Sequence, residues 1–211
     1  MKKKQSATCV NGRYKIIYLD PPWQHRDQAN AGERGAVYKY PVMNVRELSQ
    51  FPLQELAHRD CLLAMWWVGP MPGEALEVVE AWGFKLRTSV GFTWIKSTVN
   101  GKDHFGMGNW TRANCESVLL ATRGKPKRIS ASVRQIVRAP VRQHSQKPEE
   151  VRDRLVQLMG RVARIELFAR YHEAPAGWDV WGDDVTSTVK KQGAYFTRIK
   201  KPATLADRGK T

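Results

Sequence analysis

Short apolar runs that stop at proline or glycine constrain the fold of this chain more than any other feature. The run from Tyr14 to Leu19 (YKIIYL) is rich in β-branched and aromatic residues, and it stops at Asp20-Pro21-Pro22. This pattern is typical of a buried strand that ends there, because proline has no N–H with which to extend the hydrogen bonding of a sheet. The sequence therefore predicts a strand whose carboxyl end carries Asp20.

Similar runs alternate with helical patterns along the rest of the chain. Further strands are predicted at Cys61 to Val68, Phe84 to Ile95, Glu116 to Thr122 and Arg164 to Phe168. Helices are predicted at Val45 to Ser49 after Asn44, at Leu53 to Ala57, at Gly73 to Trp82 before Gly83, and at Pro148 to Met159. Such alternation predicts an α/β fold with a mostly parallel sheet flanked by helices, in which ligands bind at the carboxyl ends of the strands.

Positive charge is the feature that most restricts the partner. The 211 residues include 35 Lys and Arg against 20 Asp and Glu, which leaves a net charge of +15. No acidic residue lies between Glu116 and Glu149, although that segment is rich in arginine and lysine, and a second basic stretch follows Thr186. A polyanion such as nucleic acid is the natural partner, whereas a solvated surface would explain either stretch alone.

The length predicts one domain with short appendages, which we place at residues 14–185 between a basic lead (1–13) and a basic tail (186–211). The three cysteines, Cys9, Cys61 and Cys115, form no CxxC pair, which favours a reducing compartment. We therefore expect a cytoplasmic protein, or one in the host cytoplasm if a phage encodes it. No stretch has the roughly 18 apolar residues of a membrane span, so no membrane partner is expected, and no metal-ligand pattern appears.

The tetrapeptide Asp20-Pro21-Pro22-Trp23 carries the residues that methylation of an amine requires. The exocyclic amine of a base is a poor nucleophile, so a site must accept its hydrogens and orient its nitrogen. Asp20 and the Pro21 carbonyl are candidate acceptors on a loop that the prolines stiffen, and Trp23 is a candidate surface on which a flipped base stacks. A turn that ends a strand, followed by a core tryptophan, is the alternative interpretation.

Several further segments, in a fixed order, make the chain resemble the MT-A70 family of adenine N6-methyltransferases, which use S-adenosylmethionine. After DPPW come Tyr38, LLAMWWV at 62–68, Trp94-Ile95-Lys96 and GNWTRANCESVLLATRGKP at 108–126, and then SQKPEEV at 145–151, RIELFARYH at 164–172 and Gly177-Trp178 leading to Trp181-Gly182-Asp183. These segments cover nearly all of residues 14 to 185. An ordered set of this kind is far more specific than any single motif.

The resemblance implies a Rossmann-like methyltransferase fold in a permuted order, with the catalytic DPPW strand before the cofactor-binding strand. In the family, the aspartate and the prolines of DPPW orient the target amine. The resemblance thus assigns catalysis to Asp20, Pro21, Pro22 and Trp23, and it also places Asp20 near the amino group of the cofactor's methionine moiety.

The resemblance also implies a set of residues that bind S-adenosylmethionine. Lys147 would neutralise the carboxylate of the cofactor, Glu166 would bind its ribose, and Arg170 and His172 would line the ribose and adenine side. A surface lysine and a solvent-facing glutamate are the alternatives for Lys147 and Glu166, and the assignment of His172 rests on the family match. Asp183 is a further cofactor candidate, although it and Asp184 are acids where relatives often carry amides.

Tyr38, Trp110 and Arg112 are candidates for contact with the substrate, together with Trp23. An aromatic residue beside an arginine suits a flipped base and its flanking phosphates, whereas packing is the alternative for Trp110. The leading prediction is methylation of the N6 amine of adenine in DNA, because the compact chain resembles prokaryotic or phage-type members. An RNA adenine methyltransferase and a non-catalytic nucleic-acid-binding subunit are the alternatives. Both a homodimer and a heterodimer stay open.

Overall fold

Alternating strands and helices make up the computed structural model, which describes residues 12–24, 42–106, 108, 110–142, 146–170, 174–182 and 185–189. The strands are β1 (Tyr14–Leu19), β2 (Ala57–Trp67), β3 (Lys85–Ser97), β4 (Cys115–Arg123), β5 (Ile136–Pro140), β6 (Arg164–Leu167) and β7 (Asp179–Trp181). The helices are α1 (Val45–Ser49), α2 (Leu53–Leu56), α3 (Pro72–Ala81) and α4 (Glu150–Met159). This order confirms the predicted α/β class.

The described strands form one sheet in the order β5-β3-β4-β2-β1-β6-β7. Strand β1 is parallel to both of its neighbours, β2 and β6, and the pairs β3–β5 and β6–β7 are parallel as well. Strand β4 runs antiparallel to β2 and β3, so it is the exception in a mostly parallel sheet. The DPPW strand, β1, precedes β6 in the chain and lies beside it, as the permuted Rossmann-like order requires.

Both faces of β1 are buried, which explains its nearly continuous apolar sequence. Ile17 and Leu19 belong to a core that also includes residues of α1 and α3, whereas Ile16 and Tyr18 belong to a second core that includes residues of α4. The sheet is therefore the middle layer of three, with helices on both faces. This arrangement fixes β1 and the residue that follows it.

The helix ends follow local sequence signals. Asn44 caps α1 with a capping box, in which its side chain accepts from the Glu47 N–H and the Glu47 carboxylate accepts from the Asn44 N–H. Gly83 ends α3 with a positive φ of 74°, and the Gly83 and Phe84 N–H groups donate to carbonyls in the last turn. Helix α4 begins at Glu150, two residues later than predicted, and Pro148 lies before it.

The sequence patterns predicted five of the seven described strands, and they missed β5 and β7. Strand β2 is longer than the apolar run that predicted it, because it begins at Ala57 rather than at Cys61. None of the helices in the described ranges combines the length and the apolar character needed to cross a membrane.

Candidate active site

A cavity of about 430 Å³ opens at the carboxyl ends of β1 and β6, and its walls include Asp20, Lys147, Glu166, Arg170 and Trp178. The chain leaves β1 toward β2 on one side, and it leaves β6 toward β7 on the other. This is the topological switch point at which open α/β sheets bind ligands. Five polar or aromatic residues that lie up to 158 positions apart in the sequence thus meet in one place.

Two backbone hydrogen bonds hold the loop that carries Asp20. The Trp23 N–H donates to the Pro21 carbonyl over 2.8 Å, and the Met43 N–H donates to the Pro22 carbonyl over 2.8 Å. The Pro21 carbonyl was predicted to accept from the substrate amine, and its bond with Trp23 uses one of its two lone pairs. The carboxylate of Asp20 is therefore presented from a braced turn at the end of a buried strand.

The structure places Trp23 differently from the predicted stacking surface. Its indole is only 3% exposed, belongs to the apolar core with Leu48, and donates from Nε1 to the Trp66 carbonyl over 3.2 Å. A ring enclosed in this way presents no open face to a base. The observed role of Trp23 is to fix the DPPW turn against β2, as the alternative interpretation of a core tryptophan expected.

Lys147 holds Asp20 in an alternating network of charges. Its Nζ lies 3.0 Å from Asp20 Oδ2 and 2.9 Å from Glu116 Oε2, and the other oxygen of Glu116 lies 2.6 Å from Lys96 Nζ. Two carboxylates and two ammonium groups therefore alternate from β1 through the segment before α4 to β4 and β3. The lysine is not the surface residue that its position before a helix allowed, since its side chain is 15% exposed.

The pKa values in this network follow from burial and from the neighbouring charges. Burial raises the pKa of Asp20, Glu116 adds to this rise, and Lys147 and Arg170 oppose it. Burial also acts to raise the pKa of Glu116, but Lys147 and Lys96 outweigh it and lower that pKa to about 2. Burial acts to lower the pKa of Lys147, but Asp20 and Glu116 raise it above its ordinary value. The lysine is therefore a fixed positive charge, and Asp20 is the stronger proton acceptor of the two carboxylates.

Aromatic rings line the buried side of this network. The Lys147 ammonium lies 5.3 Å from the centre of the Trp66 ring, and Lys96 lies 5.3 Å from the centre of the Trp94 ring. Trp66 Nε1 donates to the Tyr18 hydroxyl over 2.6 Å. Each ammonium group thus lies over the face of a largely buried indole ring, which restricts where the two charges can lie.

Glu166 lies in the cavity wall in a second ion pair. The residue is 8% exposed, and its Oε2 lies 3.0 Å from Nη1 of Arg152, which is 8% exposed on α4. Glu166 pairs with Tyr18 of β1 and Val180 of β7 in the sheet. The expectation of a solvent-facing strand glutamate is therefore not met, since this carboxylate faces the cavity beside α4.

The chain turns sharply after β6 to form the rest of the wall. Phe168 has a φ of 59°, in the left-handed region that residues other than glycine rarely adopt, and its ring packs 5.4 Å from both Phe51 and Trp181. Arg170, which comes after this turn, is part of the cavity wall, and so is Trp178, which comes just before β7. The turn at Phe168 therefore aims the residues after β6 across the cavity.

The other predicted site residues lie elsewhere. Trp110 is 99% exposed and Arg112 is exposed, both in the hairpin between β3 and β4, and neither is part of the cavity wall. Tyr38, His172 and Asp183 lie outside the described residues. The packing expected as the alternative for Trp110 is not seen.

Glu116, Lys96 and Arg152 are site residues that the sequence did not single out. Glu116 stood within the motif at 108–126, and Lys96 stood at the end of the Trp94-Ile95-Lys96 motif. Pairing of Trp94 with Glu116 in the β3–β4 hairpin brings these two positions together. The available signal was a charged residue at the end of one predicted strand, Lys96, and another at the start of the next, Glu116.

A Rossmann-like sheet with a cavity at its switch point defines the class of protein, and comparison with known proteins gives the family. The chain belongs to the MT-A70 family, whose sequence model matches residues 14–184. The type II methyltransferase M.MunI of a Mycoplasma species is 32% identical over 191 residues, which cover 82% of this chain and 78% of that protein.

Two eukaryotic relatives match most of this chain and a smaller part of themselves. The N6-methyladenosine RNA methyltransferase MTA1 of Pyricularia oryzae is 29% identical over 90% of this chain and 52% of its own length. An MT-A70-like N(6)-adenosine-methyltransferase of Arabidopsis thaliana is 28% identical over 80% of this chain and 23% of its own length. The chain therefore spans about half or less of these two proteins.

Proposed function

We propose that this protein transfers a methyl group from S-adenosylmethionine to the N6 amine of adenine in DNA. The observation that carries the proposal is the position of Asp20, whose carboxylate Lys147 holds over 3.0 Å at the edge of the cavity between β1 and β6. Membership of the MT-A70 family and the likeness to methyltransferases from a mycoplasma, a fungus and a plant support the same chemistry.

The residues of the cavity fit S-adenosylmethionine. An ammonium group has three N–H donors, and Asp20 and Glu116 accept from two of those on Lys147, which leaves one for the carboxylate of the cofactor. A carboxylate has about four acceptor positions, so the bond of Glu166 to Arg152 is compatible with further bonds to ribose hydroxyls. Trp178 and Phe168 supply apolar surface for a purine, and a cavity of about 430 Å³ is within the usual range for ligand sites.

The role proposed for Asp20 is to orient the amine and to receive its proton. S-adenosylmethionine, when bound, supplies an electrophilic methyl group. The amine nitrogen would give its electron pair to the methyl carbon while the bond from that carbon to the cofactor sulfur breaks, with its electron pair staying on the sulfur. The Asp20 carboxylate would accept the extra proton that the nitrogen then carries. Burial raises the pKa of Asp20, which makes this carboxylate a better proton acceptor than an exposed aspartate. The Pro21 carbonyl accepts the second amine hydrogen through its remaining lone pair.

Arginine and aromatic side chains of the β3–β4 hairpin are proposed to bind the nucleic acid. Trp110, which is 99% exposed in the β3–β4 hairpin, offers an open ring for stacking, and Arg112 offers a charge for a phosphate. Tyr38 in the substrate site and His172 and Asp183 in the cofactor site stay predictions from the family resemblance. The buried ring of Trp23 supports the DPPW turn and is not part of this binding surface.

DNA is proposed as the substrate because the relative that shares most of its own length with this chain carries a type II methyltransferase name. Methylation of adenine in RNA is the second candidate, since the fungal relative is named an RNA methyltransferase and matches 90% of this chain. A subunit without activity is disfavoured, because the Asp20, Lys147 and Glu116 side chains form a complete network.

The test is transfer of labelled methyl groups from S-adenosylmethionine to single-stranded and duplex DNA and RNA of matched sequence, followed by digestion to identify the modified base. We expect N6-methyladenine in DNA with the wild type, and a loss of at least about a thousandfold in rate with Asp20→Ala, because that change removes the proton acceptor and an orienting contact. Glu77→Ala, an exposed acid on α3, is the matched control and should keep the wild-type rate.

A folded Asp20→Ala variant that keeps most of the rate would exclude the role proposed for Asp20. Circular dichroism and calorimetric binding of S-adenosylmethionine check the fold and the cofactor site of each variant. Modification of RNA alone would move the substrate to the second candidate.

A further inference from the structure

A groove that the active site does not use runs along the outer edge of the sheet. Its walls come from the start of β5 with the two residues before it and from the first turns of α4, and we call it the β5 groove: Arg134, Gln135, Ile136, Arg138, Glu150 and Arg154. Strand β5 is at the end of the strand order, so one of its edges has no neighbouring strand in the described part of the chain. Ile136 is 49% exposed in this groove.

The charges of the β5 groove are mostly positive and mostly uncompensated. Arg154 and Glu150 pair with each other over 2.6 Å, and Arg154 also donates to the Arg134 carbonyl. These contacts hold the Arg154 side chain in place. The side chains of Arg134 and Arg138 are exposed and have no ion-pair partner among the described residues. Three arginines against one glutamate leave the groove with two net positive charges.

The neighbouring strands add no acid on the side of the groove. Across β3, β4 and β5 the one acidic residue is Glu116, and its carboxylate is engaged by Lys96 and Lys147 at the active site. A groove with excess positive charge, an exposed apolar residue and no acid apart from the paired Glu150 is complementary to a phosphodiester backbone, in which phosphates alternate with apolar sugar surface.

Strand register places the groove level with the active site. Leu19, which precedes Asp20, pairs with Met65 of β2, so Asp20 lies level with the next residue of β2, Trp66. Trp66 pairs with Val118 of β4, and Val118 pairs with Phe92 of β3. One residue further along β3, Thr93 pairs with Ile136. The groove therefore lies beside Asp20 at a distance of four strand spacings, or about 19 Å.

We propose that the β5 groove binds the phosphate backbone of the nucleic acid that carries the target adenine. At about 3.4 Å per base pair, 19 Å corresponds to a contact about six base pairs from the methylated base. This inference rests on the proposed function for its choice of partner. It adds the path of that partner: the substrate crosses the ends of β2, β4 and β3 and reaches Arg134 and Arg138 on one side of the target adenine.

The test measures how the affinity for nucleic acid depends on salt. Labelled duplexes of about thirty base pairs, one of DNA and one of RNA with the same sequence, are titrated with wild type and with the double variant Arg134→Gln/Arg138→Gln across a range of salt concentrations. Each lost phosphate contact reduces the slope of log affinity against log salt by about 0.9, so we expect the slope to fall by about 2 and the affinity to fall roughly fiftyfold near 0.1 M salt.

Two further variants isolate the cause. Arg134→Lys/Arg138→Lys keeps both charges and should keep most of the slope. Arg161→Gln removes an exposed arginine just before the amino end of β6, the end of that strand remote from Asp20, and should keep the wild-type slope. Because the exchanged side chains are exposed, the double variants should keep the circular dichroism spectrum and melting temperature of the wild type.

An unchanged slope in the double glutamine variant would overturn the inference. So would a double variant that self-associates with an unchanged slope, because the arginines would then only protect a strand edge from pairing. The reduced slope in the absence of any methyl transfer would support the groove and contradict the proposed reaction, which keeps the two failures distinct. The DNA and RNA duplexes show which backbone the groove prefers.

Discussion

Two regions at one level of the sheet use positive charge in different ways. At the end of β1, each charge of the Lys96, Glu116, Lys147 and Asp20 network lies within 3.0 Å of an opposite charge. In the β5 groove, Arg134 and Arg138 are exposed and lack such a partner among the described residues. The compensated region is suited to holding reacting groups in place, whereas the uncompensated region is suited to attracting a polyanion.

The difference follows from burial. A buried charge without a partner costs several kcal/mol, so the charges beside the cavity must be paired for the chain to fold. An exposed arginine keeps its hydration and needs no partner, so its charge can act on a ligand. The comparison predicts that changes near β1 alter stability and cofactor binding, and that changes near β5 alter only the affinity for nucleic acid.

The largest effect is expected from replacing a cation of each region with alanine and comparing the two variants. Lys147→Ala should weaken binding of S-adenosylmethionine by about 2–3 kcal/mol, or from about 30-fold to about 150-fold, because it removes a buried cation and leaves two carboxylates without it. Arg138→Ala should leave that affinity unchanged and weaken binding of nucleic acid. Calorimetry with the cofactor and anisotropy with a labelled duplex measure the two affinities. The reverse order of effects would mean that Lys147 is a phosphate contact.

A smaller effect is expected on stability from Glu116→Gln. This change leaves Lys96 and Lys147 with one carboxylate between them, and it should lower the free energy of unfolding by about 2 kcal/mol, a value reduced from that of a fully buried pair because the Glu116 side chain is 32% exposed. Urea unfolding measures the change. Arg138→Gln is the matched control, and we expect it to lie within about 0.5 kcal/mol of the wild type. Equal stability of both variants would remove the distinction between the regions.

The same pair of variants predicts a dependence on pH. The pKa of Glu116 is lowered to about 2 from the ordinary 4.5, so its charge stabilises the fold fully above about pH 4.5 and loses this effect as the pH falls toward 2. The stability difference between wild type and Glu116→Gln should therefore shrink over that interval. Unfolding curves at several pH values check this expectation, and a difference that stays constant down to pH 2 would contradict it.

The sequence predicted those parts of the structure that local patterns determine. The strand before Asp20 follows from an apolar run cut off by prolines, and the first turn of α1 follows from the Asn44 capping box. The family and its adenine methyltransferase chemistry followed from the order of the motifs, which the match to residues 14–184 confirms. Signals of this kind are local or ordered along the chain, so they need no knowledge of the fold.

The missed features depend on contacts between distant segments. Strand β5 is five residues long, contains Arg138 and ends at Pro140, so its own sequence resembles a loop and only its pairing with β3 makes it a strand. The antiparallel direction of β4 could not be predicted, because an apolar run has the same sequence pattern whichever way the strand runs. The packing of Trp23 against β2 and the bond of Lys147 to Glu116 join residues that are 43 and 31 positions apart.

The reversed direction of β4 also has a consequence for how proteins with this sheet can diverge. Strand β3 runs toward the edge of the sheet that carries Asp20, and β4 runs away from it. The connection at residues 98–114 therefore begins and ends at that edge. Under the proposed function, insertions or deletions in that hairpin would change the surface offered to the flanking bases, while the paired strands on either side keep their register. Sequence preference can therefore evolve in one loop, separately from the chemistry encoded at the ends of β1 and β6.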